Sequence, residues 1–293
     1  MVDNIYFGLL QLRIFSEEVI PWKEEEKNFF HADLIPRNEV DVRLVFVEQI
    51  ASPQKEMRLT RHEPLLDIYT MKDKEYRYYY SGMSREQAPF ACSESQNEST
   101  DYVKIFIRKT DGKCVFPKES LFYFMHIENL LLDAGGILLH SCYMAYKERA
   151  ILLTAPSGTG KTTHSLLWKR LFHVKTINGD RGLIQKSGQD FYACGFFFHG
   201  SAAECENKHL PLDTIVVIRR SDHDYIEELS PARKLMLLFS GCTINHSNPA
   251  RVEAASQLLS ELIERVRVVM LHCTMKDSAA FLLKEYIDSN GTI

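Results

Sequence analysis

The chain has 293 residues, of which 45% are hydrophobic and 25% are charged, and its formal net charge is -4 at pH 7. This composition is typical of a soluble globular protein that is long enough for one large domain or two ordinary ones. A small negative net charge excludes a general attraction to nucleic acids or anionic membranes, so we expect neither as a partner. Short basic groups such as Arg219-Arg220 predict solvated faces or local contacts with anions.

The seven cysteines are scattered along the chain, and none forms a Cys-x-x-Cys pair. Their number is odd and several lie in apolar runs such as FYACGFFF, which indicates buried thiols rather than a disulfide framework or a structural zinc site. Thiols are typical of a reducing compartment. The first residues, MVDNIYFGLLQLRIF, lack the pattern of a signal peptide, and no apolar run is long enough to span a bilayer. The expected location is therefore the cytoplasm.

Residues 1–118 are predicted to form a small, β-rich N-terminal domain. Four short segments contain β-branched or aromatic residues in partly alternating order, namely IYFGLLQLRIF, DVRLVFVEQI, EYRYYYSG and YVKIFIRK. The most loop-like stretch between them is CSESQNEST, residues 92–100. The aromatic run YRYYYSG could stack nucleic-acid bases, but without a basic surface an aromatic strand is the favoured interpretation.

After Pro117 strand and helix patterns alternate, which predicts an α/β domain over residues 119–293 with helices packed on a central sheet. The segment KESLFYFMHIENLLLDAGG has the length and apolar spacing of one helix. ILLHSCYMAYKERAILLTA predicts two strands around a turn at residues 147–149, and VKTING and DTIVVIRR predict further buried strands. SNPARVEAASQLLSELIERVRVV begins with a helix cap and Pro249, and a last helix is expected at about residues 278–287.

The sequence APSGTGKTT, residues 155–163, lies between a predicted strand and a predicted helix, Lys161–Phe172, whose buried side should include Leu166, Leu167, Leu171 and Phe172. A strand, a glycine-rich loop ending in Gly-Lys-Thr and a helix place successive backbone N–H groups around phosphate oxygens. Ala155 replaces the usual first glycine, which is acceptable at negative φ, whereas Gly158 and Gly160 are expected to need positive φ or close approach to a nucleotide. The predicted nucleotide-binding residues are Ser157, Gly158, Thr159, Gly160, Lys161, Thr162 and Thr163.

Four residues are candidates for chemistry at this loop. Lys161 should reach the outer phosphates, and the Thr162 hydroxyl should ligate Mg²⁺. Asp180, in TINGDRGLI, follows the strand after the loop helix, where an acid commonly holds Mg²⁺ or accepts a proton from the attacking group. A turn aspartate with only a local hydrogen bond is the alternative. His140 lies on an apolar strand, where a lone histidine is more often structural than catalytic.

The segment HSCYMAYKERAILLTAPSGTGKTT, followed by INGDRGLI, resembles the catalytic domain of HPr kinase/phosphorylase, a bacterial protein-serine kinase. The loop is also similar to that of ATP-dependent phosphoenolpyruvate carboxykinase, G-x-S-G-T-G-K-T-T, which residues 157–163 match. The HPr kinase pattern has a histidine fifteen residues ahead of the loop, as His140 precedes Ala155, and an Asp-Asp-Arg whose last two residues match Asp180 and Arg181. The resemblance covers roughly residues 137–218.

The resemblance implies an HPr kinase/phosphoenolpyruvate carboxykinase-like fold that binds ATP and Mg²⁺. The catalytic residues that it implies are Asp180, His140 and Lys161, and the implied metal ligands include Thr162 and Asp180. The chain departs from the family at Gly179, which replaces the first acid of the pair, and in FFFHGSAAECEN, which replaces an Arg-Gly-rich signature. Glu204 in this segment is a candidate metal ligand, and a plain polar loop is the alternative. A homo-oligomer is expected by analogy alone.

Three functions stay open at this point. The leading hypothesis is an ATP-dependent kinase that transfers the γ-phosphoryl group to a hydroxyl of a peptide, a protein or a small molecule, with residues 1–118 recognising the acceptor. A carboxykinase-like enzyme acting on an oxaloacetate-type acid is disfavoured by the short chain. A nucleotide-binding regulatory module without transfer activity is the third hypothesis, which Gly179 keeps open.

Overall fold

A computed structural model of the chain describes residues 1–32, 34–81, 88–97, 100–109, 120–156, 158–198 and 205–290. These residues form a mixed α/β structure that divides into two compact units. The first unit comprises Met1–Ala134 and Asn245–Val252, and the second comprises Gly135–Ile244 and Glu253–Ile293. No helix in the described ranges has both the length and the apolar character needed to cross a membrane.

The first unit contains an eight-stranded sheet. Its strands in chain order are β1 (Val2–Phe7), β2 (Leu10–Phe15), β3 (Asn38–Val47), β4 (Arg58–Glu63), β5 (Leu66–Met71), β6 (Lys74–Tyr79), β7 (Ala91–Gln96) and β8 (Tyr102–Arg108). Their order across the sheet is β1-β2-β3-β8-β7-β6-β5-β4. A 3-10 helix (Glu25–Phe30) lies between β2 and β3 along the chain. The four segments predicted as strands all contribute to this sheet.

The prediction of a loop over residues 92–100 is wrong for residues 92–96, which belong to β7. This strand can carry buried polar residues because they have a polar partner. Ser93 Oγ lies 2.7 Å from His126 Nε2, and Ser95 Oγ lies 2.8 Å from His126 Nδ1. The imidazole therefore satisfies both hydroxyl groups away from water.

The segment predicted as one helix after Pro117 forms two short helices, α1 (Leu121–Phe124) and α2 (Ile127–Asp133). His126 separates them because its φ of 56° is incompatible with a continuous right-handed helix. Aromatic side chains of α1 pack on the first sheet, with ring centroids 5.6 Å apart for Phe122 and Phe7 and 4.5 Å apart for Phe124 and Tyr79. These contacts explain why the first unit extends to Ala134, beyond the expected boundary at residue 118.

The second unit contains the other sheet. Its strands are β9 (Gly136–Tyr146), β10 (Arg149–Thr154), β11 (Lys175–Asn178), β12 (Arg181–Ser187), β13 (Asp190–Cys194), β14 (His209–Arg220), β15 (Tyr225–Glu228) and β16 (Arg267–Cys273). The helices that follow α2 in the chain are α3 (Lys161–Phe172), α4 (Pro231–Gly241), α5 (Pro249–Arg265) and α6 (Asp277–Ser289). The strands that flank the turn at residues 147–149, and the bounds of α3, agree with the sequence-based prediction.

The buried face of α3 differs from the predicted one. Leu166 was expected inside but is 56% exposed, whereas His164 and Trp168 are fully buried. Trp168 belongs to an apolar cluster with side chains of β9, β10, β14, β16 and α6. The large indole therefore sets the rotation of the helix, and Leu167, Leu171 and Phe172 pack at the margin of this cluster.

Three parallel strands and one antiparallel neighbour bring the candidate residues to one edge of the second sheet. β10 pairs in parallel with β14, and β14 pairs in parallel with β16. The carboxyl ends of parallel strands meet at the same edge, which is where ligands bind in open α/β sheets. β9 runs antiparallel to β10 and to β12, with Ser141 opposite Thr154 and His140 opposite Arg181. His140 and Asp180 therefore lie at the edge where β10 ends.

Candidate functional site

The loop between β10 and α3 contains two glycines in conformations that other residues rarely adopt. The φ angle is 73° at Gly158 and 126° at Gly160, so positive φ, one of the two reasons expected for a glycine there, applies at both positions. A Cβ at Gly158 would meet no atom within 4 Å, whereas a Cβ at Gly160 would collide with the side chain of Met275. Ala155 has no positive φ, so alanine is compatible with this position. Ser157 lies outside the described residues.

Lys161 is the first residue of α3 and folds back over the loop. Its side-chain ammonium is buried and donates a hydrogen bond of 2.8 Å to the carbonyl oxygen of Ala155. Burial lowers the pKa of Lys161, the Arg181 cation lowers it further, and Asp180 opposes both effects. The charge of Lys161 is therefore coupled to the charges of Asp180 and Arg181.

The first turn of α3 presents backbone donors at the same place. The initial N–H groups of a helix have no acceptor inside the helix, and the helix dipole adds partial positive charge there. Thr162 and Thr163, which follow Lys161, are exposed at this turn. The Thr162 carbonyl accepts a hydrogen bond of 2.9 Å from the Ser165 hydroxyl, within the helix. The first turn thus offers an anion both backbone N–H groups and two threonine hydroxyls.

Asp180 lies between His140 and Arg181. Its Oδ1 is 3.2 Å from His140 Nε2, and its Oδ2 is 3.2 Å from Arg181 Nε. The side chains of His140 and Asp180 are 31% and 29% exposed, so both can be reached from solvent. The Asp180 carbonyl accepts a hydrogen bond of 3.1 Å from the Ser141 N–H group, which fastens this turn to β9. The strand pairing therefore creates the contact between two residues that are forty positions apart.

The surroundings of His140 favour its neutral form. Burial lowers the pKa of His140, and the cations Lys161 and Arg181 lower it further, while Asp180 raises it. A neutral imidazole beside an ionised carboxylate carries its proton on the facing nitrogen, here Nε2. The Thr154 hydroxyl donates a hydrogen bond of 2.9 Å to the His140 carbonyl, which links this residue to the last residue of β10.

Asn178 was not among the predicted site residues, yet it fixes the turn that carries Asp180. Its Oδ1 accepts hydrogen bonds from the N–H groups of Asp180, at 2.9 Å, and Arg181, at 2.8 Å. Its Nδ2 donates to the carbonyl oxygens of Phe196 and Phe198, at 2.6 and 2.7 Å. An asparagine two residues ahead of an aspartate, beside Gly179, is the available sequence signal for such a turn.

Arg220, the last residue of β14, was also not predicted to belong to the site. Its Nε donates a hydrogen bond of 3.0 Å to the carbonyl oxygen of Thr159, and its Nη2 donates one of 3.0 Å to that of Gly158. The parallel pairing of β14 with β10 places the end of one strand beside the loop that follows the other. Arg220 therefore contacts the glycine-rich loop itself, on the side opposite to β9.

The predicted metal ligands at this edge of the sheet can be compared with the ligands that Mg²⁺ prefers. Mg²⁺ is usually held by one or two protein oxygens, while phosphates and water complete its octahedral shell. The Thr162 hydroxyl and the Asp180 carboxylate are donors of this kind. Within the described ranges, no group of three His, Cys, Asp or Glu side chains is arranged to hold a metal ion. Glu204, the other predicted metal ligand, lies outside those ranges.

Comparison with known proteins finds likenesses among solved structures. No protein-family model matches the sequence, and a search of curated proteins finds no match. Among solved structures, the chain is similar to the Hpr(Ser) kinase/phosphatase from Coxiella burnetii, with 8% sequence identity and a TM-score of 0.31. The alignment covers 53% of this chain and 99% of that one. An identity and a TM-score this low assign no activity to the chain.

Proposed function

We propose that the second unit is an ATP-dependent phosphotransferase that moves the γ-phosphoryl group of ATP to a hydroxyl acceptor. The observation that carries this proposal is the contact between His140 and Asp180 at the sheet edge where the glycine-rich loop leads into α3. A nucleotide site alone would need only the loop and the helix. The solvent-accessible carboxylate beside them supplies the proton acceptor that a transfer reaction requires.

Nucleotide binding in this proposal rests on three kinds of donor. The N–H groups of the loop and of the first turn of α3 bind phosphate oxygens, and Lys161 leaves the Ala155 carbonyl to bind the outer phosphates. Thr162 and Asp180 would hold Mg²⁺, which would neutralise charge on the phosphate oxygens. Gly158 and Gly160 allow the backbone conformation that brings these donors together.

The transfer step requires few residues. The acceptor oxygen forms a bond with the γ-phosphorus, the bond to the oxygen bridging the β- and γ-phosphates breaks, and ADP leaves. The acceptor proton passes to the Asp180 carboxylate, which still has lone pairs available beside its contacts with His140 and Arg181. Lys161 compensates the negative charge of the phosphoryl group during transfer. Neutral His140 orients the carboxylate without removing its charge.

The acceptor belongs to the class of hydroxyl compounds, as a serine or threonine of a peptide or protein or as a small-molecule alcohol. We extend the proposal to the first unit, to which we assign acceptor recognition. Removing residues that the second unit needs for transfer would abolish activity on every acceptor, whereas changes in the first unit should alter the preference among acceptors.

Transfer from γ-labelled ATP to candidate acceptors tests the proposal, with GTP measured in parallel. We expect Asp180→Asn to lower the transfer rate at least a hundredfold and to weaken ATP binding less than Lys161→Ala does. Lys161→Ala should lower both, because the lysine binds phosphate in the ground state as well. Lys169→Ala is the matched control, since Lys169 is an exposed lysine of the same helix, and it should leave both quantities unchanged.

A nucleotide-binding regulatory module is the second candidate. Gly179 in place of an acid, together with the engagement of both Asp180 oxygens by His140 and Arg181, favours it. Its signature would be ATP binding that Lys161→Ala weakens, with no transfer to any acceptor and no hydrolysis by the wild-type protein. The kinase proposal would then be wrong, while the nucleotide site would stand.

A further inference from the structure

Arg220 makes two hydrogen bonds that differ from ordinary surface contacts. Both go to backbone carbonyl oxygens of the glycine-rich loop, those of Gly158 and Thr159, and both measure 3.0 Å. The guanidinium is exposed, so it is not needed to fill space in the core. Nε and Nη2 of the planar guanidinium can donate to two neighbouring carbonyl groups at once, which a lysine cannot do in the same geometry.

The orientation of these carbonyl groups determines where the loop N–H groups point. In a trans peptide the C=O of one residue and the N–H of the next are antiparallel, and the described chain contains no cis peptide bond. The peptide unit that contains the Gly158 carbonyl also contains the Thr159 N–H group, which donates a hydrogen bond of 3.3 Å to the Pro156 carbonyl. The peptide unit that contains the Thr159 carbonyl also contains the Gly160 N–H group. Arg220 therefore directs the Gly160 N–H away from β14.

The loop needs such an anchor because of its glycines. Gly158 and Gly160 flank Thr159, and glycine populates positive and negative φ about equally. The peptide groups on either side of Thr159 could therefore rotate at little cost without a partner for their carbonyl oxygens. Arg220 itself is held by the sheet, since it pairs with Cys273 of β16 and the next residue, Ser221, donates a hydrogen bond of 3.0 Å to the Cys273 carbonyl.

We propose that Arg220 is a positioning residue of the phosphate site: it holds the Gly158 and Thr159 peptide groups so that the Gly160 N–H, with those of the first turn of α3, faces the phosphates of a nucleotide. This inference rests on the proposed nucleotide binding. Arg220 acts through the backbone, and its own guanidinium stays on the carbonyl side of the loop. Pre-orientation of this kind raises affinity because less conformational freedom is lost on binding.

Calorimetric binding of ATP·Mg²⁺ and of inorganic tripolyphosphate to the wild-type chain and three variants tests this inference. Arg220→Ala should weaken both ligands at least tenfold, with an unchanged thermal midpoint in the absence of ligand. Arg219→Ala removes an equal charge from the neighbouring position, where the side chain alternates to the other face of β14, and should stay within twofold of wild type. Arg220→Lys should recover only part of the loss, because it keeps the charge but lacks the planar guanidinium.

Each other result would overturn the inference in a distinct way. Equal affinities for Arg220→Ala and Arg219→Ala would show that the two hydrogen bonds do not matter for binding. A loss confined to ATP would place Arg220 at the nucleoside. If Arg220→Lys recovered the full affinity, the charge of residue 220 would explain the effect without any orientation of the loop. If the wild-type protein binds neither ligand, the proposed function fails and the inference fails with it. If the wild-type protein binds tightly and Arg220→Ala binds equally well, only the inference fails.

Discussion

His140 Nε2 lies 3.2 Å from Asp180 Oδ1, across the antiparallel pairing of β9 with the start of β12. The two residues are held by strand register on one side and by the Asn178 turn on the other. Their contact is therefore a property of the sheet, and a substrate is not needed to form it. Groups that are held in place before substrate binds lose less freedom during reaction.

The pH dependence of transfer should reflect the neutral state of His140. Burial and the neighbouring cations lower its pKa, so the ring stays neutral as the pH falls through its ordinary value of about 6.5. At lower pH a protonated ring would bind the Asp180 carboxylate as an ion pair and compete with the proton acceptance proposed for that carboxylate. We expect kcat/KM to be level from pH 8 to pH 6.5 and to fall only at lower pH. A fall of kcat/KM with a midpoint above pH 6.5, present in the wild type and absent from His140→Gln, would contradict this account of His140.

Replacing Asn178 by alanine should impair transfer more than nucleotide binding. The change removes the acceptor that holds the N–H groups of Asp180 and Arg181, and it leaves the carbonyl oxygens of Phe196 and Phe198 without their donor. We expect kcat to fall at least tenfold with KM for ATP within threefold, and the free energy of unfolding to fall by about 1–3 kcal/mol. Steady-state kinetics and urea unfolding measure the two effects. An unchanged kcat would show that Asp180 keeps its place without the asparagine.

Alanine substitutions at the two loop glycines should differ in severity. Gly158→Ala meets open space and costs only the strain of positive φ, about 1–2 kcal/mol. Gly160→Ala has a less accessible φ of 126°, and its Cβ would displace the flexible end of the Met275 side chain, which can move at little cost. We expect the second variant to lose more thermal stability and more ATP affinity than the first. Equal losses in the two single variants would refute this difference.

His164 should make the protein less stable in acid. Its Nε2 accepts a hydrogen bond of 3.3 Å from Trp168 Nε1, its buried Nδ1 has no hydrogen-bond partner among the described residues, and burial lowers its pKa to about 4. Between pH 6.5 and 4 the unfolded chain binds a proton that the folded protein excludes, so the free energy of unfolding falls as the pH falls. The loss attributable to His164 reaches about 3 kcal/mol at pH 4.

Urea unfolding of wild type and His164→Leu at pH 7.0, 6.0 and 5.0 measures this effect. The leucine variant lacks the titrating group, so its stability should decline less steeply across the series, whatever its value at pH 7.0. Parallel declines for the two proteins would mean that His164 does not carry the difference. His126, also buried with a lowered pKa, is unchanged in both proteins and contributes equally to both series.

The sequence was most informative where structure is local. The residues of β10, the loop and α3 are adjacent in the chain, so their order alone predicted the turn, the glycine conformations and the helix bounds. The face of α3 could not be predicted from apolar spacing, because the fit of Trp168 into a core assembled from distant strands decides it. Arg220 was missed for a similar reason, since its contact with the loop depends on the register of β14 against β10.

The partners of buried polar residues were the feature of the first unit that the sequence did not reveal. Arg77 lies in the aromatic strand β6 and gives no local sign of being buried, yet its Nε is 2.7 Å from Glu75 Oε1 and its Nη2 is 2.5 Å from Glu128 Oε1. Such a buried network is stable only when every charged group in it is paired, and the paired groups come from separate parts of the chain. Ser93 and Ser95 were read as loop residues because their common partner, His126, lies more than thirty residues away.

The most direct test of the central claim is a crystal structure of the protein with a non-hydrolysable ATP analogue and Mg²⁺. Our account predicts that the triphosphate lies along the loop and the first turn of α3, with Lys161 at the outer phosphates. Thr162 and Asp180 should coordinate the metal ion, with the Asp180 carboxylate facing the terminal phosphate. An analogue bound elsewhere, or one bound at the loop with Asp180 turned away from its terminal phosphate, would contradict the account.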